Sequence, residues 1–206
     1  MSNVSLVIGF AGSGVNASLV RLAGLAGAIA GAVSMAAGEW ISISAQNELV
    51  LREVAIERRE LEVNGVAEQA ELALMYEGHG MRETTARQAA ADVMQSTENA
   101  LAVHSREEFG IDPDELPSAL NAASLSFVCF LLGAMLPVVP WFVAKDNSAK
   151  FASVLIGVIA AAAIGWAIGK LGSRRTLVTT SRQVLILLGA CAITYGVGQL
   201  LNVSTN

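Results

Sequence analysis

Residues 22–49, LAGLAGAIAGAVSMAAGEWISISAQNEL, begin as an apolar run and end among polar side chains. No proline follows them before Pro113, and no glycine lies between Gly38 and Gly65. Nothing local therefore stops one helix from leaving a membrane and continuing into water as far as Glu62. The apolar part carries a single ionisable side chain, Glu39, with Met35 one helical turn before it; the polar continuation carries Glu53, Glu57 and Glu60. A carboxylate within a span and a carboxylate ladder beyond it, on one predicted helix, point to the handling of a cation.

The rest of the composition agrees. The 206 residues are 53% hydrophobic and 15% charged, with a mean hydropathy of +0.54, which places the chain among membrane proteins. Charge is unevenly spread. Residues 48–115 hold sixteen Asp or Glu against six Arg, a net of −10, whereas the remainder holds two acids against seven bases, a net of +5. An acidic insert in a basic membrane body argues against nucleic acid as a partner and for cations. Cys129 and Cys191 both sit in apolar runs and read as small hydrophobes.

Hydropathy divides the chain into five candidate spans, an all-α architecture. The first, residues 4–20, is short for a segment that needs about 20 residues and is diluted by Gly9, Gly12, Ser13, Gly14 and Asn16. It lacks a basic n-region, so a signal peptide fits poorly; it reads as a shortened first span whose opening turns are missing. Arg21 closes the first connection, and the second span covers residues 22–43. There Gly27, Gly31, Ser34 and Gly38 form a small-residue packing face, beside a more polar stripe of Met35, Glu39, Ser42 and Gln46. The remaining spans are residues 118–142, with Trp141 suited to an interfacial belt, 151–168, with Gly165 and Gly169 spaced for close packing, and 184–201. A polar loop at Lys145–Lys150 and a basic turn with Lys170, Arg174, Arg175 and Arg182 separate them.

Between the second and third spans the pattern predicts a soluble three-helix domain. Its first helix continues the second span to Val63 and ends on a left-handed cap at Asn64-Gly65. The second covers residues 66–77 and stops at Gly78-His79-Gly80, where His79 reads as an exposed turn residue. The third covers residues 83–109, with a candidate break and N-cap at Ser96-Thr97, before Asp112, Pro113 and Pro117 mark the return to the membrane. The domains are thus residues 1–45, 46–116 and 117–206. With five spans, the acidic domain shares a side with the basic turn, giving ten Lys or Arg against three opposite. The positive-inside rule makes that side cytoplasmic and places the C-terminus on the other.

Within the domain Glu57 and Glu60 are three apart, as are Glu68 and Glu71, and His104 lies four before Glu108. Stacked carboxylates repel each other by a few tenths of a kcal/mol per pair, so a bound cation would stabilise them. Carboxylates with one imidazole and no thiolate suit Fe(II) or Mn(II) better than Cu(I). The plainer reading is a solvated acidic face, with Arg52, Arg58 and Arg59 as partners. Glu39 costs about 2.5 to 3.5 kcal/mol inside a bilayer unless it is paired, wetted or snorkelling at an interface. Met35 adds a thioether that can contact a transition metal.

Residues 22–49, together with ELALMYEGHGM (71–81), AVHSREEFGID (102–112) and SLSFVCFLLGAMLPVVP (124–140), closely resemble the vacuolar iron transporter family. The resemblance covers nearly the whole chain. It implies a homodimer of five-span subunits whose ion path runs at the dimer interface. It also implies a cytoplasmic three-helix domain that gathers Fe(II) or related ions for export in exchange for protons. By position, the family's glutamate pairs fall on Glu57 with Glu60 and Glu68 with Glu71, with Glu53 close enough to leave the register of the first pair open. The glutamate of the third helix falls on Glu108, and the membrane pair on Met35 and Glu39. Two positions depart from the family. Methionines that some members carry before the last glutamate are replaced by His104 and Ser105. The Asp-Gly expected before a Val-Ser is missing from Met1-Ser2-Asn3-Val4-Ser5, so the natural start is expected upstream.

The resulting expectation is a multi-pass transporter, not an enzyme and without a prosthetic group, that exports Fe(II) and/or Mn(II). It would sit in the plasma membrane of a prokaryote or the vacuolar membrane of a eukaryote. The alternative is a membrane-anchored metal sensor or scaffold without transport. A di-iron oxidase would want Glu-x-x-His pairs on facing helices, and the sequence has none.

Overall fold

The computed structural model describes residues 1–201 apart from 111, 113, 114, 145 and 174, so the sequence features at Pro113, Lys145 and Arg174 lie outside the described residues. Among the described residues all regular structure is helical: α1 (Ser2–Gly12), α2 (Ala17–Gly78), α3 (Glu83–Val93), α4 (Thr97–Phe109), α5 (Ala119–Met135), α6 (Pro140–Val143), α7 (Asp146–Leu171) and α8 (Thr176–Leu201). The chain forms two compact units, Met1–Gly38 with Ala123–Asn206, and Glu39–Ala122.

Among the described residues four stretches are long and apolar enough to cross a membrane: the apolar part of α2, Ala119–Val143, Asn147–Leu171 and α8. With 62 residues, α2 has far more than the about 20 that cross a hydrocarbon core of about 30 Å, and only its first part is apolar enough to do so. The 11 residues of α1 reach about 16 Å, half that thickness.

The first connection differs from the sequence reading. It falls at residues 13–16, where Gly14 takes φ +78°, and Asn16 caps α2 by accepting the Leu19 N–H at 3.0 Å. A left-handed glycine followed by an N-cap side chain is a stronger boundary than a lone charge. Arg21 is consequently inside α2, its guanidinium 5.5 Å from the centre of the Phe142 ring.

In this first unit α7 and α8 form an antiparallel pair. A Cβ on Gly165 would lie 2.6 Å from Thr180 Cα, so only glycine permits the approach, and Thr179 Oγ1 donates to the Gly165 carbonyl at 2.9 Å. α1 lies against α8 where Gly198 meets the Gly9 carbonyl. Buried Val7, Val20, Val138 and Trp141 form one core, and Val4, Ile8, Leu187 and Cys191 another. Cys191 is thus buried, as its apolar setting suggests, while Cys129 is exposed. Trp141 is buried within the protein. Its Nε1 donates to Ser153 Oγ at 3.0 Å, and that hydroxyl donates to the Pro137 carbonyl at 2.7 Å. A buried indole N–H needs an acceptor, and Ser153 supplies it from the next helix. Asn3, 5% exposed, ties three helices together by donating Nδ2 to the carbonyls of Gly24 at 3.1 Å and Ala134 at 2.6 Å.

In the second unit α2 does not end at Asn64-Gly65. Asn64 leaves helical geometry alone, at φ −123° and ψ 27°, and neither residue has positive φ. Leu61 packs with Ala100 and Leu101 on one side of this kink, and Leu72 with Ala73 and Ala90 on the other. The two clusters are separate, and the partly buried Val93 packs against both. The predicted third helix is two. α3 ends at Val93, and α4 starts from Ser96, whose Oγ accepts the Asn99 N–H at 3.4 Å. Gly110, at φ +66°, closes α4 by donating its N–H to the Arg106 carbonyl.

Candidate metal centre

Glu57, Glu68, His104 and Glu108 each direct one ligand-type atom into a space where all four atoms lie within 4.8 Å of one another. Glu57 and Glu68 come from α2 on either side of the Asn64 kink, His104 and Glu108 from successive turns of α4. His104 is fully buried. Its Nδ1 lies 3.0 Å from Glu57 Oε1, 3.5 Å from Glu108 Oε1 and 3.9 Å from Glu68 Oε2. Glu57 and Glu68 are buried, and Glu108 forms the rim, its side chain 19% exposed.

The geometry is not that of a hydrogen-bonded cluster. His104 Nδ1 and Glu57 Oε1 are close but misaligned, and both are buried without a hydrogen-bond partner. Buried polar groups in that condition are rare and costly. Convergence on a common cation would satisfy both atoms. Ligands at about 2.1 Å from an octahedral ion stand about 3.0 Å apart when adjacent and about 4.2 Å apart when opposite, which brackets the distances from His104.

Electrostatics point the same way. Burial, followed by repulsion from Glu108, Glu68, Glu60 and Glu71, pushes the Glu57 carboxyl up from 4.5 to about 7. Burial and the Glu71 charge also raise Glu68, with His104 opposing them. A divalent ion would reverse the sign of the field at both. Three carboxylates and an imidazole without a thiolate form a hard-to-borderline donor set.

Of the residues singled out from sequence, Glu60 and Glu71 are exposed and outside the four-residue group, though their charges act on Glu57. Glu53 is exposed and also outside it. His79 is an exposed turn residue, 3.5 Å from Glu107. Met35 is half exposed on α2 in the first unit, and Glu39 is exposed at the start of the second. The sequence reading passed over Asn3; the signal was an amide in an otherwise apolar segment.

The VIT family's sequence profile matches residues 1–199. This chain belongs to that family. Among curated relatives, a vacuolar iron transporter of Acanthamoeba castellanii is 35% identical over 119 residues, which is 58% of this chain and 45% of the relative. The vacuolar iron transporter 1 of Oryza sativa subsp. japonica is 24% identical over 95% of this chain and 78% of its own length. The vacuolar iron transporter homolog 3 of Arabidopsis thaliana is 27% identical over 98% and 76%. The matched region thus spans less than half of the amoebal relative and about three quarters of the plant ones. Glu57, Glu68, His104 and Glu108 all lie inside the matched family region.

Proposed function

We propose that this family member is a multi-pass transporter that exports Fe(II) and/or Mn(II) from the cytoplasm in exchange for protons. What carries the reading is the buried convergence of Glu57, Glu68, His104 and Glu108 with no hydrogen bond joining His104 to Glu57. The names of the relatives add iron as cargo, and the four long apolar stretches add a bilayer.

In this account residues 1–45 and 117–206 form a membrane body with α1 as the first, shortened span, and residues 46–116 form a cytoplasmic collecting domain. Glu57, Glu68, His104 and Glu108 take up the ion, while Glu60 and Glu71 raise its local concentration from the surface. Met35 and Glu39, four residues apart on α2, offer a thioether and a carboxylate along the path, at the interface of a homodimer. The membrane is vacuolar in a eukaryote and the plasma membrane in a prokaryote.

The test is Fe(II) or Mn(II) uptake into proteoliposomes holding the full-length chain under a pH gradient. Expected is flux that depends on the gradient and is lost in Met35→Ala and Glu39→Gln, both of which keep their metal binding. Absence of flux in the wild type would refute transport. Binding without flux, unaffected by Met35→Ala and Glu39→Gln, would instead favour a sensor.

A further inference from the structure

We infer that the opening turns of α8 hold the headgroup of an anionic phospholipid, with one acyl chain lying along the same face of the helix. At 100° per residue Val178, Arg182, Leu185, Gly189 and Ile193 of α8 fall on one stripe about 80° wide, with Arg175 immediately before the helix. Arg175 and Arg182 are exposed, as are Val178, Leu185 and Ile193. A Cβ built on Gly189 would meet nothing within 4 Å. Nothing else in the described chain therefore lies against that point of the stripe, and the missing side chain leaves a shallow trough between Leu185 and Ile193.

Length sets the depth of the arginines. Leu201 is the last large apolar residue of the run before Asn202; with it at the far boundary of about 30 Å of hydrocarbon, which takes about 20 helical residues, the near boundary falls beside Arg182. Arg175, seven residues earlier, stands about 10 Å further out. The two guanidinium groups thus bracket the phosphate layer, and the trough at Gly189 begins where the acyl chains begin.

Charge decides the class of lipid. Among the described residues neither Arg175 nor Arg182 forms an ion pair, and residues 147–206 contain no Asp or Glu. An arginine at a membrane surface without an internal counter-charge takes one from lipid phosphate, bidentately where geometry permits. A zwitterionic lipid brings its own ammonium to compete; an anionic one leaves net charge for the second arginine. The arrangement depends on α8 being a span and not on the metal site, so the two readings fail separately.

The experiment is native mass spectrometry of the full-length chain, released from detergent with added phosphatidylglycerol or phosphatidylcholine and no metal. Expected is a preference for phosphatidylglycerol of about tenfold or more, kept by the double substitution R175K/R182K and lost by R175Q/R182Q. Gly189→Leu, which fills the trough, should weaken both lipids alike. Circular dichroism confirms that each variant keeps its helix content. The proposal is overturned if the wild type shows no preference or if R175Q/R182Q retains it. It is also overturned if Gly189→Leu splits a dimer while leaving lipid binding unchanged, which would assign the stripe to a second copy of the chain.

Discussion

Replacing Glu57 with Gln should stabilise the metal-free protein and weaken its hold on metal. Glu57 is buried among carboxylates that lift it from 4.5 to about 7. At about 1.4 kcal/mol per pH unit, keeping it ionised in the closed structure costs about 3 kcal/mol. The cost has a definite pH window. Below 4.5 the carboxyl is protonated whether α4 is closed or open, and nothing is lost. As pH rises, the open form ionises first and draws the equilibrium toward itself, so the stability present at low pH is lost progressively up to about 7. Glutamine has similar size and no charge. In the full-length chain in detergent, stripped of metal by a chelator, hydrogen exchange at the amides of α4 should be slower in Glu57→Gln than in wild type at pH 8. About 3 kcal/mol corresponds to about a hundredfold in the opening constant, and the gap should close near pH 4.5. In the same preparation Mn2+ affinity should fall by at least about tenfold, because a charged ligand is lost. Faster exchange in Glu57→Gln at pH 8, or a gap that persists at low pH, would mean that a favourable partner rather than mutual repulsion governs Glu57. The account of the site would then be wrong.

Lowering the pH from 8 to 6 reduces the ionised fraction of a group titrating at about 7 by about tenfold. Mn2+ affinity should fall by a similar factor, with proton release on binding seen by calorimetry in two buffers of different ionisation enthalpy. His104→Met replaces the one imidazole with a thioether and should shift selectivity from Mn2+ toward Cu(I) by about tenfold or more in competition titrations; unchanged selectivity would remove His104 from the ligand set. Ser153→Ala leaves the Trp141 N–H and the Pro137 carbonyl without their shared partner. It should destabilise the membrane body by about 1 to 3 kcal/mol, read as a lower midpoint of thermal unfolding in detergent.

How far the site was legible can be judged from particular residues. Glu57 and Glu60, like Glu68 and Glu71, are equivalent by spacing, yet only the first of each pair turns inward, where burial has the larger effect on its charge. Periodicity places two residues on one helix face but does not say which of them meets another helix. The partnership of His104 with Glu57, across 47 positions, depends on how α4 packs in the second unit. The kink at Asn64 is similar. Asn-Gly marks a departure from helix, but whether the chain reverses or bends depends on what each side packs against, Leu61 on Ala100 and Leu101 of α4 and Leu72 on Ala90 of α3.

By itself the sequence determined the class of the protein: its apolar runs, the absence from 22 to 62 of proline and, after Gly38, of glycine, and an acidic stretch inside a basic body. These are properties of composition and local periodicity, which act over a few helical turns and need no tertiary partner. The tertiary structure decided which carboxylates are desolvated and face a common point, and so pushed Glu57 up to about 7. It also buried Trp141 against Ser153, tied α1 to α2 and α5 through Asn3, and moved the first connection to Asn16. Burial is created by packing between segments distant in the chain, and a carboxylate's charge becomes costly only once that packing excludes water.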